Sequence, residues 1–176
     1  MPFNFVNLDS STRQFMIEEI EQDLGAGTLY YSPRLSEVGR QLYPELLRRA
    51  ARSGTDSSLA GELELPGRLN ATEERRKPKG GTSIVRVPVS APETLAEGEF
   101  NRFYSRGVCR RAIAQGTESV VVYRAKEVVH PRTESVALIG KCIPAKQLLD
   151  DLRANPGKDI PLGLPAGPNS GLSVKL

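Results

Sequence analysis

Tryptophan is absent from this sequence, histidine occurs once, and there are two cysteines and two methionines among 176 residues. With one imidazole and two thiols, few pairings of a nucleophile with a base can be assembled. The histidine, His130, stands before Pro131 in what reads as a strand-ending turn. Cys109 and Cys142 lie in apolar contexts without CxxC spacing, so they read as buried structural thiols in a reducing compartment, with no disulfide framework and no zinc site. Long apolar runs are missing as well. Nothing approaches the roughly 18 residues of a membrane helix, and Met1 to Asp9 lacks the basic start and apolar core of a signal peptide. Neither membrane insertion nor secretion by signal peptide is expected.

Other absences narrow the chemistry. Gly25-Ala26-Gly27 follows a predicted helix, whereas a phosphate-cradling loop follows a strand and opens a helix, and Gly80-Gly81 carries no nucleotide pattern either. A nuclease built on two carboxylates and a lysine wants an acid two residues before the lysine, where Arg124-Ala125-Lys126 has arginine. No catalytic residue, metal or cofactor is expected. The formal charge of +3 is too small to imply nucleic-acid binding by itself, and aromatics are not interleaved with cations as in a single-strand binder.

The residues that are present predict an α+β fold with an irregular periphery, in keeping with 13 prolines and 16 glycines. Met16, Ile17, Ile20 and Leu24 recur at helical spacing after the capping oxygens of Ser10 to Thr12, with Gly25 closing the run and Glu18, Glu19, Glu21 and Asp23 on a solvated outer face. A second helix carries Leu35, Val38, Leu42, Leu46 and Ala50 as its stripe, with a break or kink expected at Pro44. A short third helix is predicted from Asp56 to Leu63. The chain from 66 to 83 reads as a basic loop or linker, followed by a strand near 84–89 and a long helix opened by Ser90, Pro92 and Glu93 and ending near Gln115. The apolar run at Val120 to Tyr123 predicts a central strand, near 119–129, that pairs with the strand at Ile84. Pro144 opens a last helix that Asn155-Pro156-Gly157 ends.

This gives a helical segment over 1–65, the basic linker over 66–83, an α+β core over 84–155 and an extended arm over 156–176, one domain overall. Proline and glycine alternate along the arm, which rules out an ordinary helix or a central strand there. Its apolar residues Ile160, Leu162, Leu164, Leu172 and Val174 are the expected interface residues, laid on the chain's own body or on a neighbour. Two basic features could make polar or nucleic-acid contacts: Arg75, Arg76, Lys77 and Lys79 in the linker, and Arg102, Arg106 and Arg110 at i, i+4, i+8 on one helix face. A solvated face, with acids early and cations late along the helix dipole, accounts for the same arginines.

Glu97-Gly98-Glu99-Phe100-Asn101-Arg102-Phe103-Tyr104-Ser105-Arg106-Gly107, with Val122 to Lys126 and Pro131 to Ser135, resembles segments of tailed-bacteriophage head or virion proteins over about 93–176. That resemblance implies a capsid, neck or shell-associated subunit, found in the virion or the host cytoplasm, whose partners are copies of itself or other structural subunits. A structural and assembly role is therefore expected. The alternatives are a small nucleic-acid-binding or regulatory protein using the basic linker and arginine face, and an enzyme or enzyme inhibitor with an unfamiliar pocket.

Overall fold

In the computed structural model, residues 3–157 and 170–176 are described. Asp9 starts the first helix, its carboxylate accepting from the Thr12 amide at 3.1 Å, and Gly27 ends it with a left-handed φ of 68°. This helix, α1 (Ser10–Ala26), is followed by α2 (Glu37–Ser53) and α3 (Asp56–Leu63), capped by Ser36 and Thr55. Pro44 does not break α2, which continues for nine residues beyond it to Ser53 because Tyr43, Leu46 and Leu47 are buried on either side. The buried stripe of α2 is rotated from the expected one: Gly39, Tyr43, Leu46, Leu47, Ala50 and Ala51 face inward, while Val38 and Leu42 are exposed.

The centre of the molecule is α4 (Ala91–Ala114), with Pro92 in its first turn and no side-chain cap from Ser90. It is buried along most of its length by α1, α3 and α6 (Ala145–Ala154), so Phe100, Phe103, Tyr104, Val108 and Cys109 all lie in the core. Burial holds the Cys109 thiol up at about 12, which leaves it an inert apolar group. Cys142, expected to be buried, is exposed. Gly107 lets α1 and α4 touch. A Cβ there would sit 2.8 Å from Met16 Cγ and 2.9 Å from the Thr12 carbonyl oxygen, so Gly107→Ala must push two backbones apart. The expected loss is about 1–3 kcal/mol in urea unfolding, and an unchanged midpoint would contradict this packing.

The sheet pairings differ from those expected. The central strand β3 (Ser119–Arg124) lies between β4 (Cys142–Pro144) and β5 (Leu172–Lys175), both antiparallel to it, with Val120 opposite Ile143 and Val122 opposite Val174. It ends at Arg124 and does not run on to Val129. A short helix, α5 (Thr133–Leu138), leads to β4. The Ile84 strand is β2 (Thr82–Arg86) and pairs instead with β1 (Thr72–Arg76), in the stretch expected to be a loop, forming a separate two-stranded hairpin.

The end of the arm corrects a further expectation. Proline and glycine give way after Gly171 to four residues that form an edge strand, and Leu172 and Val174 are fully buried in the chain's own core. Asn101 fixes this strand through both ends of its amide, donating to the Leu172 carbonyl at 2.9 Å and accepting from the Ser173 hydroxyl at 2.6 Å. Those two residues are therefore not presented to a neighbour. Ile160, Leu162 and Leu164 lie outside the described residues. The Phe3 to Asn7 segment is bound to the same core: Asn4 donates to the Ala125 carbonyl at 2.7 Å and accepts from the Tyr123 hydroxyl at 2.7 Å.

Candidate functional site

The arginine face of α4 points inward, which corrects its assignment to nucleic-acid contacts. Arg106 is 1% exposed, and its guanidinium bonds Glu19 at 2.8 Å and Asp23 at 2.6 and 2.9 Å, both on α1. Arg102, also buried, donates to the Asn155 carbonyl at 2.7 Å and lies 3.5 Å from Glu99. Arg110 is half-buried and held by Glu18 and Glu19 at 3.0 and 2.8 Å. Arg153 of α6 completes the cluster on Glu19 at 2.6 Å. Four cations thus tie three helices together. Glu19 and Asp23, expected on a solvated face, are buried partners.

The other basic feature is exposed. In the hairpin, Glu74 lies opposite Ile84 and Arg76 opposite Thr82. Its turn is closed by the Lys77 amide to the Gly81 carbonyl at 3.0 Å, with Gly80 and Gly81 at φ 90° and 79°. Such angles are open to glycine at little cost, so the Lys-Pro-Lys-Gly-Gly sequence suits a tight hairpin end. The root is firmly held. Arg34 grips Glu73 at 2.6 and 3.1 Å, Val87 donates to the Ala71 carbonyl at 3.1 Å, and Asn70 donates to the Arg34 carbonyl at 2.8 Å. Beyond the root, side chains are exposed or half-exposed along both strands, and Ile84 is 74% exposed. Arg75 reaches Glu73 at 3.3 Å; Arg76, Lys77 and Lys79 have no ion pair among the described residues. Among those residues both strand edges are open.

Beside the hairpin root lies an acidic cleft of about 290 Å³ between α3 and α4, lined by Asp56, Ser57, Glu64, Glu93 and Glu97. Lys126, just past β3, bonds Glu97 and stands 3.7 Å from Glu93. Asp56 is 2% exposed. Its Oδ2 accepts from the Phe3 amide at 3.3 Å, while its Oδ1 has no hydrogen-bond donor among the described residues. Burial raises the pKa of Asp56 and of Glu97, the latter against the pull of Lys126. Lys126 thus meets Glu93 and Glu97 at one side of the cleft, and Asp56 and Glu64 line the rest of it. Two carboxylates and a lysine do meet here, but they come from one helix, α4, and the loop after β3 instead of one strand end. Among the described residues no three His, Cys, Asp or Glu side chains are grouped to hold a metal ion.

Searches of protein-family models, of curated protein sequences and of solved structures returned no match to the chain. No helix among the described residues is long and apolar enough to cross a membrane.

Sequence reasoning located Arg75, Arg76, Lys77 and Lys79 correctly as an exposed basic segment, but it missed the cleft. The signal for Asp56 was present: it shares a helical stripe with Leu59, Ala60 and Leu63, all buried. Nothing in the spacing joins Asp56 to Glu93, Glu97 and Lys126, which three separate elements bring together.

Proposed function

We propose that the chain is a structural subunit that assembles, through its β1–β2 hairpin, with copies of itself or with other proteins of a virion capsid, neck or related shell. The observation that carries this is the hairpin itself. An isolated two-stranded hairpin is marginal in water, and strand edges left open invite pairing with another chain. Here such a hairpin is anchored rigidly at its root yet leaves Ile84 and four cations outside, as a docking arm requires. The resemblance to tailed-bacteriophage virion proteins supplies the setting, the virion or the host cytoplasm.

Light scattering of the native protein across a concentration range tests the proposal, beside a variant in which residues 74–84 are replaced by a short Gly-Ser turn, which keeps Glu73 on Arg34. The intact chain is expected to form a defined oligomer, and the variant to be a folded monomer with a similar melting temperature. Equal oligomers from both would overturn the hairpin's role. Truncation after Asn155 is a poorer test, because it removes a strand of the core sheet.

A second reading rests on Arg76, Lys77 and Lys79 at the hairpin end, which have no ion pair among the described residues and are free to meet nucleic-acid phosphates. It predicts binding to DNA that weakens steeply between about 50 and 200 mM salt, an effect lost when these three are changed to glutamine.

A further inference from the structure

Resting on the subunit reading above, we infer that the basic end of the hairpin in one copy docks in the acidic cleft between α3 and α4 of a second copy, and that the exchange is reciprocal.

Charge is the first support. Arg75, Arg76, Lys77 and Lys79 crowd the hairpin end, while Asp56, Glu64, Glu93 and Glu97 line the cleft, with Lys126 the cation paired to them among the described residues. The cleft's size is the second. At about 290 Å³ it lies just below the usual range of small-molecule sites, about 300–1,000 Å³. It has room for a cationic side chain from the hairpin end. Asp56 gives the third and independent support. Asp56 is 2% exposed at the wall of the cleft, and its Oδ1 takes no donor at hydrogen-bond distance among the described residues, so a cation seated beside it strengthens an interaction that its own chain leaves weak.

Geometry favours exchange between copies over closure within one. No cation of the hairpin end is paired with a cleft acid of its own chain among the described residues. Five residues of strand carry the end about 17 Å from its root at about 3.3 Å per residue. The root adjoins the cleft, since Glu64 lines both the cleft and the hollow under Ala71, Val87 and Val89. Each copy therefore carries an acceptor at the hairpin root and a donor about 17 Å away at the hairpin end. A two-fold axis between two such faces places both contacts at once, as an isologous interface demands. Val89, 97% exposed, and Ile84 then have apolar surface to meet at the interface centre.

Two charge-reversed variants test this. One carries Arg76→Glu, Lys77→Glu and Lys79→Glu; the other carries Glu64→Lys and Glu93→Lys. All five residues are exposed, so both variants are expected to stay folded, with a small loss of stability in the cleft variant because Glu93→Lys stands beside Lys126. Each alone sets like charge against like and is expected to be monomeric. Mixed in equal amounts they make two complementary contacts per dimer, and the native mass is expected to return. A mixture that stays monomeric overturns the inference, as does a cleft variant that assembles like the native chain. In that last case, loss of assembly in the hairpin variant alone would leave the subunit reading standing with a different acceptor. An intact protein that is monomeric at every concentration overturns self-assembly itself.

Discussion

Arg106→Met is expected to lower the free energy of unfolding by about 3–5 kcal/mol, a large part of what a domain of this size possesses. The side chain is fully buried, and so is Glu19, at 0% exposure. Arg106 Nε donates to Glu19 Oε2 at 2.8 Å, and its two terminal nitrogens grip both oxygens of Asp23 at 2.6 and 2.9 Å. The guanidinium also lies 4.8 Å from the centre of the Phe103 ring. Methionine fills much of the space but leaves two carboxylates facing an apolar core. They suffer unequally. Glu19 keeps Arg110 at 2.8 Å and Arg153 at 2.6 Å, whereas the side-chain hydrogen bond that Asp23 keeps among the described residues is from the Thr28 hydroxyl at 3.4 Å. Adding Asp23→Leu to Arg106→Met should therefore recover part of the loss, since removing a buried pair together is far less costly than orphaning one partner. Urea unfolding of the two variants measures both. A loss below 1 kcal/mol for the single change would show that the network does not hold α1 to α4.

That network explains why charge was the least legible part of the sequence. Runs of Glu on one helix and Arg on another read as solvated faces because most such residues are solvated. Periodicity carried the contrary signal: Glu19 and Asp23 follow Met16 and Ile20 by three residues, and Arg106 follows Phe103 by three, so each charge sits on an apolar stripe. The α+β class was legible, as were the extent of α3 and the start of α6 at Pro144, but the ends of α1 were not: Asp9 caps it and Gly27 ends it, where Ser10 to Thr12 and Gly25 were expected. Strand pairing was not legible either. Thr72 to Arg76 has no apolar alternation, because a strand exposed on both faces needs none. The tail strand is four residues long and was masked by the composition upstream of it. The cleft, assembled from three elements, leaves no mark in local spacing at all.

Stability is expected to peak near pH 4.5–5 and to decline on both sides, because two buried glutamates are shifted in opposite directions. Burial works to raise Glu19, but the guanidiniums of Arg153, Arg106 and Arg110 outweigh it and hold the carboxyl at about 2, against an ordinary 4.5. The folded state therefore binds fewer protons than the unfolded one between those values. Its stabilisation, roughly 3 kcal/mol, is fully present above about pH 4.5 and is lost as pH falls toward 2. Glu99 behaves in the opposite sense. Burial lifts it to about 7, and Arg102, its Nε 3.5 Å away, offsets only part of that. Between about 4.5 and 7 the unfolded chain has released this proton while the folded chain retains it, so stability falls by up to roughly 3 kcal/mol as pH rises through the window, then levels off. Asp56 and Glu97, both raised by burial, add to the same decline. Glu99→Gln separates the two arms. At pH 8 the variant should be more stable than the native chain by about 2–3 kcal/mol, with the alkaline decline much reduced and the acid decline unchanged. Urea midpoints from pH 2.5 to 8 provide the measurement. A native profile that is flat from pH 5 to 8 would mean that Glu99 is ionised in the folded state, with Arg102 and Arg106 compensating its burial in full.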